Sequence, residues 1–318
     1  MPKIPRFRWL ILSLVFLAAV LNYIDRQTLS ALAPTIQRDL GMDDRDYANV
    51  LNIFLAAYTA AYLIAGRLVD ALGARFGMGV FVVWWSLANM LTAWAQGMRT
   101  LSAFRFLLGL GEAGVWPAAS KVVASWFPAS ERALAIGLYT TGATVGAILA
   151  PYLVIPLAGF SFPERVTSMV ELLGWEHGVG WRIAFVLTGL AGVLWLGLWL
   201  KFYREPRDSA YIAEAELKLL SHGAGGQVAD EAAWGWRKIL KSRLVWLLLL
   251  GRLLTDPVWY FFQFWLPKYL HSERDLTQEQ LKITWIVYAA AGLGSLVGGW
   301  SSGILVAKKI SPHGGECG

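Results

Sequence analysis

The sequence predicts an all-α polytopic membrane protein, made of a six-helix N-terminal bundle and the first two helices of a second bundle. Apolar residues make up 56% of the 318 residues. They occur in runs of about 20 residues, the length that crosses roughly 30 Å of hydrocarbon as a helix. The 17 Trp and 11 Tyr residues suit a protein whose aromatic rings collect near the two membrane interfaces.

The apolar runs define eight candidate spans, separated by charged residues or by clusters of Pro and Gly. They cover residues 9–33, 47–68, 77–97, 101–123, 133–157, 181–201, 244–267 and 283–306. With the N-terminus inside, the inner loops hold about twice as many Lys and Arg residues as the outer loops, as the positive-inside rule requires. The basic N-terminus resembles a signal peptide, but no cleavage pattern follows it, so we expect a retained first span.

The predicted organisation has four parts. Residues 1–201 form the six-helix transmembrane bundle, and residues 202–242 form a charged cytoplasmic linker, in which the segment from Ile212 to Leu220 has the pattern of a short amphipathic helix. Residues 243–306 are the first two helices of the second bundle, and residues 307–318 are a truncated or aberrant tail.

Several function classes are disfavoured by composition. The net charge of +6 lies in the loops, which indicates membrane orientation rather than a nucleic-acid partner. The single cysteine, Cys317, can form no intramolecular disulfide, and no metal-ligand spacing accompanies it. No nucleophile-and-base arrangement or glycine-rich phosphate loop is present, so we expect neither an enzyme nor a cofactor or metal.

Four ionisable residues within spans are the candidate functional residues, because charges at bilayer depth cost several kcal/mol unless they are paired or hydrated. At 1.5 Å per residue, Asp25 in the first span and Arg105 in the fourth lie at the same depth and can meet. Glu112 follows Arg105 by seven residues and shares its helix face. Arg26 points about 100° away from Asp25.

Two carboxylates and two guanidiniums in one cavity suit a proton-coupled anion site. Arg binds a carboxylate through a planar, permanently charged fork. Desolvation favours the neutral form of a buried carboxylate, whereas a nearby Arg favours the charged form, so the carboxylate can take and release a proton as its partner moves. The alternative is an ion pair that only locks two helices together.

Other residues carry weaker signals. In the seventh span, Arg252 and Asp256 are four residues apart, and such a polar face is expected to avoid lipid. Tyr58 and Tyr62 can donate hydroxyls to a sugar or serve as core aromatics. Glycines in the fourth and fifth spans, among them Gly142, predict close helix packing.

The loop after the second span reads Gly66-Arg-Leu-Val-Asp-Ala-Leu-Gly-Ala-Arg and resembles the motif that the major facilitator superfamily has at this place. The resemblance implies that Gly66, Asp70, Gly73 and Arg75 belong to a gating motif. In this motif, Asp70 and Arg75 form a cytoplasmic latch that holds the outward-open state. Arg105 resembles the motif arginine of the fourth span.

Four further segments resemble the anion:cation symporter branch of that superfamily, which includes importers of hexuronates, galactonate and glucarate. They begin at Leu21, Arg105, Trp126 and Tyr203 and read LNYIDRQTLS, RFLLGLGEAG, WFPASER and YREPRD. The resemblance covers nearly the whole chain.

The branch implies roles for five residues. It links Asp25 and Glu112 to proton coupling, Arg26 and Arg105 to the substrate carboxylate and gating, and Tyr58 to the substrate cavity. The expected partners are a small organic anion, protons and the lipid bilayer. We expect a monomer in the bacterial inner membrane, with its N-terminus in the cytoplasm.

The resemblance also narrows the substrate. Arg252 matches the arginine of hexuronate-type members rather than the glutamine of galactonate-type members, which favours glucuronate or galacturonate and adds Arg252 to the substrate-binding residues. Another organic acid, a transporter-like sensor and a non-functional fragment remain alternatives. Family members usually have twelve spans, so we expect a truncation or frame shift near Pro312.

Overall fold

The computed structural model of the chain describes Lys3, residues 6–159, Trp175, residues 179–223, residues 240–294 and Val297. These residues are mainly helical. The helices are α1 (Phe7–Ala31), α2 (Ala33–Leu40), α3 (Asp44–Leu91), α4 (Met98–Glu112), α5 (Val115–Trp126), α6 (Ala129–Ala158), α7 (Val179–Phe202), α8 (Glu214–Gly223), α9 (Arg243–Tyr260) and α10 (Leu266–Arg274). Residues 285–294 are also helical. The predicted tail, 307–318, lies outside the described residues.

Five helices of the described chain are long and apolar enough to cross a membrane: Phe7–Ala31, Asp44–Trp94, Ser130–Ala158, Val179–Phe202 and Arg243–Arg274. The second one contains two predicted spans, because α3 turns at Gly73, which has φ 75° and ψ 160°. Beyond this turn, a Cβ on Gly77 would lie 3.2 Å from the Cα of Val69. The chain therefore doubles back, and α3 consists of two antiparallel arms, residues 44–72 and 74–91.

Local sequence accounts for several helix boundaries. Asp43 caps the first arm of α3, since its Oδ1 accepts a hydrogen bond from the Asp46 N–H at 2.8 Å and completes a capping box. Gly41, with φ 61°, ends α2, because a left-handed residue closes a helix most easily when it lacks a Cβ. The fourth predicted span consists of α4 and α5, which are separated by a short turn at Ala113 and Gly114.

The first bundle is held together by close contacts at glycines. A Cβ on Gly109 of α4 would lie 2.6 Å from the Phe54 carbonyl oxygen, and one on Gly142 of α6 would lie 2.6 Å from the Phe16 carbonyl oxygen. These positions let α4 approach α3 and let α6 approach α1 at backbone distance. The predicted packing role is thus confirmed for both glycines. Gly137 has no neighbour within 4 Å of its Cβ position.

One end of the bundle carries Arg8, Arg75, Lys121 and Arg132, and we call it the basic end. The amphipathic helix predicted in the linker is present there as α8. Its residue Glu216 accepts hydrogen bonds from the Phe7 N–H at 2.9 Å and from Arg8 Nη1 at 2.9 Å. Glu216 therefore caps the N-terminus of α1, where N–H groups lack intrahelical partners and a negative charge is favoured.

The described part of the second bundle touches the first bundle at the opposite end. The backbone carbonyl of Phe264 accepts hydrogen bonds from Tyr47 Oη at 2.9 Å and Ser30 Oγ at 3.3 Å. Lys268 of α10 forms an ion pair with Asp44. These contacts lie next to a π-helical segment, Phe261–Trp265, which precedes Pro267, a residue without a backbone N–H.

We expect Gly142→Ala to lower the free energy of unfolding by about 1–3 kcal/mol, because the added methyl group collides with the backbone of α1. Gly137→Ala, on the same helix, is the matched control and should leave stability unchanged or slightly raised. Thermal unfolding of both purified variants in detergent measures the difference. Equal midpoints would contradict the packing role of Gly142.

Candidate functional site

A buried ion pair joins α1 to α4 inside the first bundle. Arg26 donates from Nε to Glu112 Oε2 at 2.9 Å and from Nη2 to the same oxygen at 2.5 Å. The Arg26 side chain is 7% exposed and that of Glu112 is 0% exposed. Such a pair is held in a low dielectric, where breaking it leaves an uncompensated charge. Arg26 and Glu112 therefore act as one unit.

Three aromatic rings surround the Arg26 guanidinium. Its Cζ lies 5.0 Å from the ring centroid of Tyr58, 5.2 Å from that of Tyr23 and 5.4 Å from that of Phe54. Aromatic faces attract a cation through the ring quadrupole, and this attraction is larger in a desolvated setting. Tyr58, predicted in the substrate cavity, is thus in direct contact with the buried guanidinium.

Asp25 is held by neutral groups. Its Oδ1 accepts a hydrogen bond from Asn89 Nδ2 at 2.7 Å, and the same nitrogen donates to Thr188 Oγ1 at 2.8 Å. Asp25 and Asn89 are both fully buried. No ion pair joins Asp25 to Arg105 among the described residues, so the predicted contact is not formed in this conformation.

Arg105 instead lies over the ring of Phe185, with 4.8 Å between its Cζ and the ring centroid. It is 2% exposed, and its Nε and Nη2 have no hydrogen-bond partner in the described part of the chain. Arg26 and Arg105 line the same small cavity, which Phe264 of the second bundle closes. The two guanidiniums thus line one cavity of about 10 Å³ between the bundles, and Arg105 has unused donors.

The predicted latch has different partners in the structure. Asp70 forms an ion pair with Lys121 of α5, with 2.9 Å between Oδ1 and Nζ. Arg75 lies beyond the turn at Gly73 and donates from Nη2 to the Leu200 carbonyl at the C-terminal end of α7, at 2.9 Å. The turn directs Asp70 and Arg75 to different helices. A Cβ on Gly66 would meet nothing within 4 Å.

Arg252 lies apart from the buried cluster. It pairs with Asp256 at 3.3 Å, as their spacing allows, but its side chain is 78% exposed. Within the described residues, α9 contains no buried residue, and the prediction that this polar face avoids lipid stays a prediction. The structure therefore does not bring Arg252 to Arg26 or Arg105.

Two polar residues of the interior, Asn22 and Asn89, are not predicted from the sequence, and both are 0% exposed. Gln263, in the seventh predicted span, is 1% exposed. The sequence signal for such residues is an amide within an apolar run, since an amide in hydrocarbon needs a partner. An uncharged amide is a weaker signal there than a charge.

The arrangement provides positive charge for an anion and two carboxylates that can exchange protons. Within the described residues, no group of three or more His, Cys, Asp or Glu side chains is placed to hold a metal ion. The chemistry that the two guanidiniums and two carboxylates offer is ion binding and proton exchange.

Comparisons with known proteins identify the family of the chain. The family profile described as Major Facilitator Superfamily matches residues 15–314. The chain is 31% identical to the hexuronate transporter of Escherichia coli (strain K12), over 94% of this chain and 66% of that protein. It is 30% identical to the galacturonate transporter of Dickeya chrysanthemi, over 94% of this chain and 82% of that protein. The chain thus spans somewhat less than two thirds of the Escherichia coli transporter.

Solved structures share the fold. The crystal structure of a bacterial homologue of the human lysosomal transporter Spinster, inward-facing and unoccupied, superposes with a TM-score of 0.78 at 24% identity, over 96% of this chain and 64% of that one. A D-xylose–proton symporter gives a TM-score of 0.60 at 15% identity, over 94% of this chain and 69% of that one. At these identities the likeness concerns the helical architecture.

We expect Arg26→Leu to destabilise the protein by about 3–5 kcal/mol, because Glu112 is left as a buried, unpaired charge. The double variant Arg26→Leu/Glu112→Leu should lose less than the sum of the two single changes. The parent, the two single variants and the double variant form a double-mutant cycle, and unfolding in mixed detergent micelles measures the free energy of each.

The exposed pair Lys121–Asp70 serves as control for the buried pair. Replacing both residues by Ala should change stability by about 1 kcal/mol or less, since solvent screens this pair. If the stability losses of the two single variants at Arg26 and Glu112 added up to the loss in the double variant, the two residues would not act as one unit.

Proposed function

Because this chain belongs to the major facilitator superfamily, we propose that it is a proton-coupled secondary transporter that imports an organic anion. The first candidate is a hexuronate, glucuronate or galacturonate. The observation that carries the proposal is the buried cluster, in which Arg26 and Arg105 face one cavity and Glu112 is bonded to Arg26. A protein that did not use these charges would gain by replacing them with apolar residues.

The substrate carboxylate binds at Arg105, which has free donors, and draws Arg26 away from Glu112. An Arg fork receives a carboxylate through two parallel hydrogen bonds. When Arg26 turns toward the substrate, Glu112 loses its counter-charge and takes up a proton, since a desolvated carboxylate without a cation favours its neutral form. Substrate binding and proton binding are thereby coupled, and Asp25 is the second proton site.

Transport proceeds by alternating access around this cavity. The contacts from Phe264 to Tyr47 and Ser30, with the pair Lys268–Asp44, close the end opposite to the basic end. The surplus of Lys and Arg at the basic end supports a cytoplasmic position for that end, and hence a cytoplasmic N-terminus. On this reading, the conformation is open toward the cytoplasm, and the latch residues Asp70 and Arg75 move when the bundles rock.

A different sugar acid is the second candidate substrate. The chain is 31% identical to the D-galactonate transporter of Escherichia coli O6:H1, over 96% of this chain and 69% of that protein, which is the same level of identity as to the hexuronate transporter. Arg252 supports the hexuronate choice only if it approaches the cavity in another conformation. Competition of labelled glucuronate uptake by unlabelled galactonate separates the two.

We expect Glu112→Gln to abolish accumulation of labelled glucuronate against its gradient in proteoliposomes with an imposed proton gradient. Counterflow, which needs no net proton movement, should be retained. The exposed Glu273 supplies the control, since Glu273→Gln should accumulate substrate as the parent does.

The same assay is run on the 318-residue chain and on a version extended by four further spans from a longer relative. A protonophore should remove accumulation in each active version. Accumulation by Glu112→Gln at the parental level would refute the role of Glu112 in coupling.

A further inference from the structure

We propose that Asn89 is a positioning residue for the proton on Asp25, and that its amide controls the pH range over which Asp25 releases that proton. The inference rests on the proposed role of Asp25 in proton coupling. It concerns a residue in the second arm of α3, which lies outside the gating motif and the charged cluster.

The geometry shows one amide group joining three helices. Asn89 Nδ2 donates to Asp25 Oδ1 on α1 at 2.7 Å and to Thr188 Oγ1 on α7 at 2.8 Å, and it lies 3.4 Å from the Phe185 carbonyl oxygen. Asn89 and Asp25 are both 0% exposed. Both hydrogens of the amide nitrogen are therefore used, and one of them is directed to the carboxylate.

This amide is suited to hold both protonation states of Asp25. A hydrogen bond donated to a carboxylate favours the ionised form, and an amide donor does not itself titrate. Asn89 Oδ1 and Asp25 Oδ2 have no partner among the described residues. After protonation of Asp25, rotation of the amide by half a turn would present Oδ1 as acceptor for the new O–H group. A leucine of similar size offers neither contact.

Other groups around Asp25 act in both directions. From α4, the charged groups that act on Asp25 are Arg105 and Glu112, which are opposite in sign. Arg26, the next residue on α1, is occupied by Glu112. The described groups that face Asp25 from α3 and α7 are neutral: Asn89, Trp85 and Thr188. Asn89 thus donates directly to the carboxylate, and the charges of α4 act at longer range.

The test is an infrared titration of the purified full chain in detergent, which follows the C=O stretch of the protonated Asp25 side chain. The band is assigned by its loss in Asp25→Asn. In Asn89→Leu, we expect the midpoint at which the band disappears to lie about one to two pH units higher than in the parent. This shift corresponds to the loss of one hydrogen bond to a charged group. Ser86→Ala, one turn away on α3 and equally buried, should leave the midpoint unchanged.

A second variant at the same position keeps the test valid if the first one misfolds. If Asn89→Leu is not monodisperse, Asn89→Ala is titrated instead, and the same upward shift is expected. Equal midpoints in the parent and in a folded Asn89 variant would overturn the proposal. The band reports Asp25 directly, so this outcome is separate from that of the transport assay. If the parent did not accumulate glucuronate, the proposed function would be refuted. The titration would still decide the role of Asn89.

Discussion

The ion pair between Arg26 and Glu112 is the constraint on which the rest of the interior depends. Removing two ions from water costs several kcal/mol per ion, and the pair offsets this cost only if its geometry is maintained. Its two short hydrogen bonds to one oxygen fix the rotation of α1 against α4. On the same helix, Gly109 lies at backbone distance from Phe54 of α3, so α4 is held against both α1 and α3.

The other two ionisable residues of the cluster, Asp25 and Arg105, have no ion-pair partner among the described residues. Asp25 is bound by the neutral amide of Asn89, and Arg105 lies on the ring of Phe185, so neither is neutralised by a direct counter-ion. A charge held in this way is poised to gain a ligand, whereas a fully paired charge must first lose a partner. Among the described residues, this cluster therefore combines one closed pair and two charges without a direct counter-ion, which suits an exchange of protons and anions.

Closure at the end opposite to the basic end is made largely by backbone acceptors of the π-helical segment. The Phe264 carbonyl takes two side-chain hydroxyl donors from the first bundle, and Gln278 donates to the Ala31 carbonyl at 2.5 Å. Such contacts are neutral and individually modest, about 0.5–1.5 kcal/mol each. They can be broken and remade as the bundles rock, without the cost of separating buried ions. The ion pair Lys268–Asp44, with Asp44 74% exposed, adds little because solvent screens it.

The sequence by itself determined the helical membrane fold, the interior position of four charged residues and the amphipathic helix α8. Run length and the cost of a buried charge are local properties of the chain. Asp25, Arg26, Arg105 and Glu112 were predicted to lie inside, and all four do.

Only the tertiary structure decided the partners: Asn89 for Asp25, Lys121 for Asp70 and the Leu200 carbonyl for Arg75. A partner depends on how helices rotate and slide against each other, and a shift of one residue turns a side chain by about 100°. That rotation is set by packing among helices distant in sequence, at sites such as Gly142 against Phe16. A neutral amide also carries no charge signal in an apolar run, so its importance emerges only when the carboxylate that it holds is in place.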